Sequence, residues 1–155
     1  MIEFGKENSD MLAPPFLVSL TDVNAEIFRN TLKIVIAIPR YGEKGEGVDK
    51  DKDKIFHEAV PVYPDADNMY EIVFEDYVAY QSTNEYYAGK RKDDFSGRYL
   101  VIYGGSGFLN DILEETVAKG YAKLGSIEAP LHYGIFTESH IIDVVSHIKP
   151  IIKKI

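Results

Sequence analysis

The sequence predicts an α+β fold: a single domain with a mostly antiparallel sheet of about six or seven strands and one or two helices. Three observations point there. Residues 68–81, NMYEIVFEDYVAYQ, alternate apolar and polar side chains. Tyr70, Ile72, Phe74, Val78 and Tyr80 fall on one face, and Glu71, Glu75 and Gln81 fall on the other, the period of a half-buried strand. Short β-branched runs recur along the chain with brief turn-forming stretches between them, which favours strands that pair with their sequence neighbours. Only residues 108–119 carry a clear helical stripe.

In chain order, the first 15 residues show little periodicity and end at Pro14 and Pro15. Residues before proline are steered away from helix, so a loose N-terminal arm is expected. Residues 16–20 suit a short strand. Residues 21–30, TDVNAEIFRN, fit either a short helix capped by Thr21 or Asp22 or part of a hairpin. Residues 32–38, LKIVIAI, read as a buried strand that stops at Pro39. The stretch 42–54 mixes three glycines with alternating lysines and acids, which predicts a charged flexible loop. An extended segment over 55–63 follows, and PDADN, 64–68, reads as a turn into the long strand. Asp76 is the lone polar residue on the apolar face of that strand, which predicts a bulge or bend near Glu75 and Asp76.

Residues 82–96 read as an exposed connection and 98–103, RYLVIY, as a strand. After the glycine-rich break at 104–107, Ser106 caps the helix 108–119, whose stripe is Leu109, Ile112, Leu113, Thr116 and Val117, with Lys119 and Gly120 at its end. Phe74 and Ile112 are assigned to the core. LHYGIF (131–136) and HIIDVVS (140–146) supply two further strands, and Pro150 keeps the tail at a sheet edge.

A chain of 155 residues is the size of one domain, long enough to bury about two thirds of the surface its unfolded form exposes. The net charge of −8, from 17 basic and 25 acidic residues, opposes binding to nucleic acid or anionic lipid, both of which depend on Lys and Arg. A basic protein partner suits this charge. With no cysteine, disulfides and thiolate metal sites are excluded. The first 12 residues lack the basic and apolar regions of a signal peptide, and no apolar run approaches membrane-spanning length. A cytoplasmic protein is therefore expected.

The strongest enzymatic pattern is YLVIY-GGSG-FLNDIL, residues 99–103, 104–107 and 108–113. A strand, a glycine-rich turn holding Ser106 and a helix follow the order of a nucleophile elbow. The motif is incomplete, because Phe108 stands where its last glycine belongs; Ser106 as a helix cap is the simpler reading. Gly105, Ser106 and Gly107 could cradle a phosphate at the helix start, although neither a dinucleotide fingerprint nor a phosphate-loop lysine is present, and no cofactor is expected. His140, Asp143 and His147 would share a helix face as metal ligands, but Ile141, Ile142, Val144 and Val145 between them favour a strand, on which His140 points away from the other two. Asp49, Asp51 and Asp53 imitate the start of a calcium loop, which fails at Lys54 and Val60. No metal site is expected. Glu75, Tyr77, Glu85, Tyr86 and Tyr87 form the candidate binding surface, because tyrosines give rigid amphipathic area and acids select a basic partner.

The segments NMYEIVFEDYVAYQSTNEYYA (68–88) and HYGIFTESHIIDVVSHIKP (132–150) resemble small uncharacterised bacterial domains that share a tyrosine-rich strand and a closing His-Tyr-x-Ile…Ile-Asp-Val hairpin. The resemblance implies a bacterial, immunity-protein-like setting, among small acidic proteins that neutralise toxins; it carries no catalytic motif and assigns no functional residue. The reading that results is a non-enzymatic protein that binds a basic protein partner, its oligomeric state open. The alternative is a small hydrolase or phosphate-ligand enzyme centred on Ser106.

Overall fold

The computed structural model describes residues 1–26, 29–46, 59–123 and 127–155. It is α+β, as expected, but among the described residues nine strands form two antiparallel sheets in place of one sheet of six or seven. The first sheet has the order β1 (Phe16–Glu26), β2 (Arg29–Tyr41), β3 (Val62–Glu75) and β9 (Ile151–Lys154). The second has the order β4 (Ala79–Asn84), β8 (His140–Ser146), β7 (Leu131–Phe136), β6 (Leu100–Tyr103) and β5 (Phe95–Ser96).

The split occurs where the long alternating stretch bends. Asp76 adopts φ 52°, a left-handed conformation that aspartate tolerates better than most residues. Its N–H donates to the Asn30 carbonyl at 2.9 Å, and the Val78 N–H then donates to Val145 at 2.8 Å. The bend expected at Glu75 and Asp76 is thus the point where the chain leaves the first sheet and joins the second.

Between the sheets lies one apolar layer. Leu32, Ile34, Ile36, Ile72 and Phe74 face Leu100, Tyr133, Ile135, Ile142 and Val144. Phe4, Phe74 and Tyr133 meet edge to face, with ring centroids 5.2 to 5.9 Å apart, the arrangement that aromatic quadrupoles favour. Phe4 belongs to the segment expected as a loose arm, and Ile2 and Met11 from that segment are buried as well. Gly5, at φ 75°, donates to the Leu100 carbonyl, and Arg98 donates back to Lys6. The arm therefore packs as part of the core, because its few apolar side chains fill the end of the sandwich.

Several further expectations change. Residues 21–26 are strand, paired antiparallel with β2 down to Glu26 opposite Arg29, so the hairpin alternative holds. Pro39 does not end its strand: β2 continues to Tyr41 past an irregularity between Ala37 and Pro39. Pro64 lies opposite Pro39, so 64–68 belongs to β3 and is not a turn; the local irregularity accommodates two residues that lack an N–H. Ser82–Asn84 extends β4, which shortens the expected connection. The charged loop 42–54 and the calcium-like Asp49, Asp51 and Asp53 lie mainly outside the described residues; within them, Gly42 donates to Pro61 and Glu46 closes a turn onto the Glu43 N–H.

The helix expected over 108–119 is broken into two, α1 (Gly107–Glu115) and α2 (Ala118–Lys123), within the expected one or two. Thr116 caps the end of α1 in an extended conformation, with its N–H and hydroxyl both on the Ile112 carbonyl. Gly120 accordingly lies inside α2 and terminates nothing. The stripe divides too: Leu109, Ile112 and Leu113 are half-buried, while Thr116 and Val117 face solvent. Ile112 is thus peripheral and not a core residue, because α1 lies on the outside of the second sheet. Truncating Phe74 to alanine should cost about 3–5 kcal/mol, whereas Ile112→Ala should cost about 1 kcal/mol. Urea midpoints of the two variants measure both; equal losses would contradict this placement.

Candidate active site: a buried Ser–His–Asp chain

On the second sheet, strand alternation sends Tyr133, Ile135, Ile142 and Val144 into the core and leaves His132, Gly134, Asp143 and Val145 on the outer face. Register puts His132 opposite Val145 and Gly134 opposite Asp143. His132 and Asp143 are therefore diagonal neighbours, close enough for long side chains to meet. Gly134 has a steric role here: a Cβ would come within 2.7 Å of the Val101 side chain and 3.0 Å of the Tyr103 ring. Without it, Tyr103 lies flat on His132, with centroids 4.0 Å apart and planes inclined by 11°.

Ser106 reaches this face from the start of α1, where it is the N-cap and accepts from the Leu109 N–H at 3.0 Å. Its role as helix cap is as expected. Its hydroxyl also lies 2.6 Å from His132 Nδ1, and His132 Nε2 lies 2.8 Å from Asp143 Oδ1. Asp143 further receives Arg91 through both terminal nitrogens, at 3.3 and 2.9 Å, and Gln81 Nε2 at 3.1 Å. Burial alone would raise the Asp143 carboxyl, but the bonds from His132, Arg91 and Gln81, together with the charge of Arg91, hold it below its ordinary value. An ionised Asp143 only accepts, so His132 donates from Nε2, and in the neutral imidazole Nδ1 is left to accept the Ser106 proton. Every hydrogen in the chain is thereby oriented.

Ser106 is 4% exposed, His132 1% and Asp143 0%, and Phe108 meets His132 edge-on at 5.2 Å. Ser106 has φ −152° and ψ 154°, relaxed extended backbone unlike the strained turn of a nucleophile elbow. Relative to serine proteases, the two ring nitrogens exchange roles. At the helix start, the Gly107 N–H reaches a carboxylate of the chain itself, Asp93 Oδ2 at 3.4 Å, in the place considered for a phosphate at Gly105, Ser106 and Gly107.

The five residues considered as one binding surface separate into two places. Tyr77, in the connection between β3 and β4, donates to Asp22 at 2.5 Å and packs edge-on against Tyr80; burial, and then the Asp22 hydrogen bond, raise its phenol to about 12. Glu75 is exposed near the same end. Glu85, Tyr86 and Tyr87 lie beyond the opposite end of β4, about 17 Å away along the strand. They form a single 3-10 turn, Glu85–Tyr87. Asn84 accepts the Tyr86 N–H at 3.0 Å, and Glu85 donates to Ser139 at 3.0 Å. The two rings meet edge to face at 5.2 Å and are 84% and 79% exposed.

His140, Asp143 and His147 do not converge: Asp143 turns to His132, His140 bonds Ser139, and His147 bonds the Glu128 carbonyl. Among the described residues no group of three or more His, Asp or Glu side chains is placed to hold a metal, and no helix is long and apolar enough to cross a membrane. Sequence reasoning gave His132, Arg91 and Gln81 no role in a site. The available signal was the alternation of β7 and β8, which assigns His132 and Asp143 to the face opposite the core. No family model matches the chain, and neither the curated proteins nor the solved structures contain a match.

Asp143 binds protons less readily folded than unfolded, so the unfolded chain takes up more protons as the pH falls through the ordinary carboxylate range. Its contribution is present above that range and is lost as the pH drops toward the folded value. Asp143→Asn should therefore lower the urea midpoint near neutrality, and its deficit against the parent should narrow between about pH 5 and about pH 3. A deficit that does not depend on pH would contradict the ionised network.

Proposed function

We propose that the chain is a cytoplasmic protein that binds a basic protein partner through the turn Glu85–Tyr87. The single observation that carries this reading is the pair of adjacent tyrosine rings, nearly wholly in water and packed edge to face. Two exposed rings on a pinned turn are costly to leave in water unless something covers them. Each offers about 150–250 Å² of contact area at small entropic cost, since the turn is already ordered. Their faces attract Lys or Arg of a partner, and Glu85 beside them adds charge of the right sign. The absence of cysteine agrees with a reducing compartment.

The separation of Tyr77 and Glu75 from this turn narrows the surface. Affinity capture from the native host, run beside the Tyr86→Ala/Tyr87→Ala double variant, tests the proposal. A basic protein retained by the parent and lost with the double variant is the expected result; equal retention would overturn it. With that partner purified, each single tyrosine truncation should weaken binding roughly 30-fold, mainly through faster dissociation. Glu85→Lys should slow association and flatten its salt dependence. Glu75→Lys, a strand length away, should change neither.

A further inference from the structure

We infer that Ser106 is an acyl-accepting nucleophile for small uncharged carboxylic esters, with His132 as its base, and that the structure shows this site closed under Phe108. This inference is independent of the binding turn. The chain from Ser106 through His132 to Asp143 has hydrogen-bond distances at both links and the one tautomer that lets His132 Nδ1 take the serine proton. Arg91 and Gln81 position Asp143 and do not touch the reacting atoms.

Two further observations point to a ligand. The hydroxyl of Tyr103 is buried with no hydrogen-bond partner, alone in this respect among the described side chains; burial raises this phenol first of all, to about 12, so it is a neutral donor. The Tyr103 ring lies on His132, so this orphaned hydroxyl shares the outer face of the sheet with the Ser–His pair, and such a group calls for an oxygen to bond. The Phe108 N–H belongs to the first turn of α1, where no intrahelical acceptor exists, whereas the Gly107 N–H already reaches Asp93 Oδ2. Phe108 is two residues from Ser106 in sequence, where developing negative charge on a carbonyl oxygen needs a donor. The walls, Tyr103 and Phe108, are aromatic, and Asp93 stands at the helix start, a setting that suits an uncharged acyl group and repels an anionic one.

The reaction balances with water as the only co-reactant. Ser106 Oγ passes its proton to His132 Nδ1 as it bonds the acyl carbon. The tetrahedral intermediate collapses with cleavage of the ester C–O bond, and the leaving oxygen takes the proton from His132. Water then gives a proton to His132 as it attacks the acyl-serine, and the carboxylic acid departs as Ser106 recovers its proton. Access requires Phe108 to move. None of the side chains of α1 is fully buried, and Gly104 and Gly105 ahead of it have open space around them, so little packing resists that motion.

The experiment incubates the full chain with 4-nitrophenyl acetate, following nitrophenolate release and locating acetyl groups by peptide mass spectrometry. Acetylation of Ser106 in the native protein, absent in urea where the chain of hydrogen bonds is gone, is expected. His132→Gln should slow it about 100-fold, and Phe108→Ala should accelerate it. Ser106→Asn, which keeps a capping acceptor but has no hydroxyl, should abolish the release that depends on folding. Circular dichroism checks that each variant folds; if His132→Gln or Ser106→Asn does not, the native-against-urea comparison on the parent decides. No acetyl on Ser106 of the native protein, equal labelling in urea, or labelling undiminished in a folded His132→Gln would overturn the inference. Unchanged labelling in Phe108→Ala would overturn the closure.

Discussion

A carboxylate without solvent contact lies near the centre of the second sheet, and much of that half of the molecule is arranged around it. A buried charge is tolerable only when paired and hydrogen-bonded. Asp143 has four such donors: two from Arg91, one from Gln81 and one from His132. The three residues come from three different elements, so one charge ties together β4, the connection that carries Arg91, β7 and β8. Through His132 the same chain reaches Ser106, the cap of α1.

This explains why the two faces of the second sheet differ so much. The inner face is apolar and closes the sandwich against Ile34, Ile72 and Phe74. The outer face carries the ionic network, sealed by Tyr103 on one side of the imidazole and Phe108 on another. Gly134 is the small residue that lets Tyr103 lie flat there. The helix serves as cover for polar chemistry more than as a core element, which is why its apolar stripe is only half buried.

The exposed tyrosine pair and the buried chain share one stretch of backbone. Tyr87 is four residues ahead of Arg91, and the turn that carries the tyrosines is fastened to Ser139 at the head of β8, the strand that carries Asp143. The exposed tyrosine pair and the closed polar site are thereby tied to the same strand, β8.

Local pattern sufficed for much of this. Alternation located β3, β7 and β8 and placed Phe74 in the core, and the glycine break identified Ser106 as a cap, because side-chain periodicity and capping act over a few residues. The bend at Asp76 was also visible as one polar residue on an apolar face. Its consequence, two sheets in place of one, was not, since strand partnership is a long-range choice. Likewise Pro39 and Pro64 looked like breaks, yet each tolerates the other across a shared irregularity. Phe4 and Met11 looked idle because their contacts are with residues distant in sequence. The residue types at 106, 132 and 143 were all in view as the sequence stood. Only the register of β7 against β8, together with the passage of the chain over the sheet into α1, brought 26 and 11 residues of separation down to hydrogen-bond distances, because no local propensity encodes which strands become neighbours.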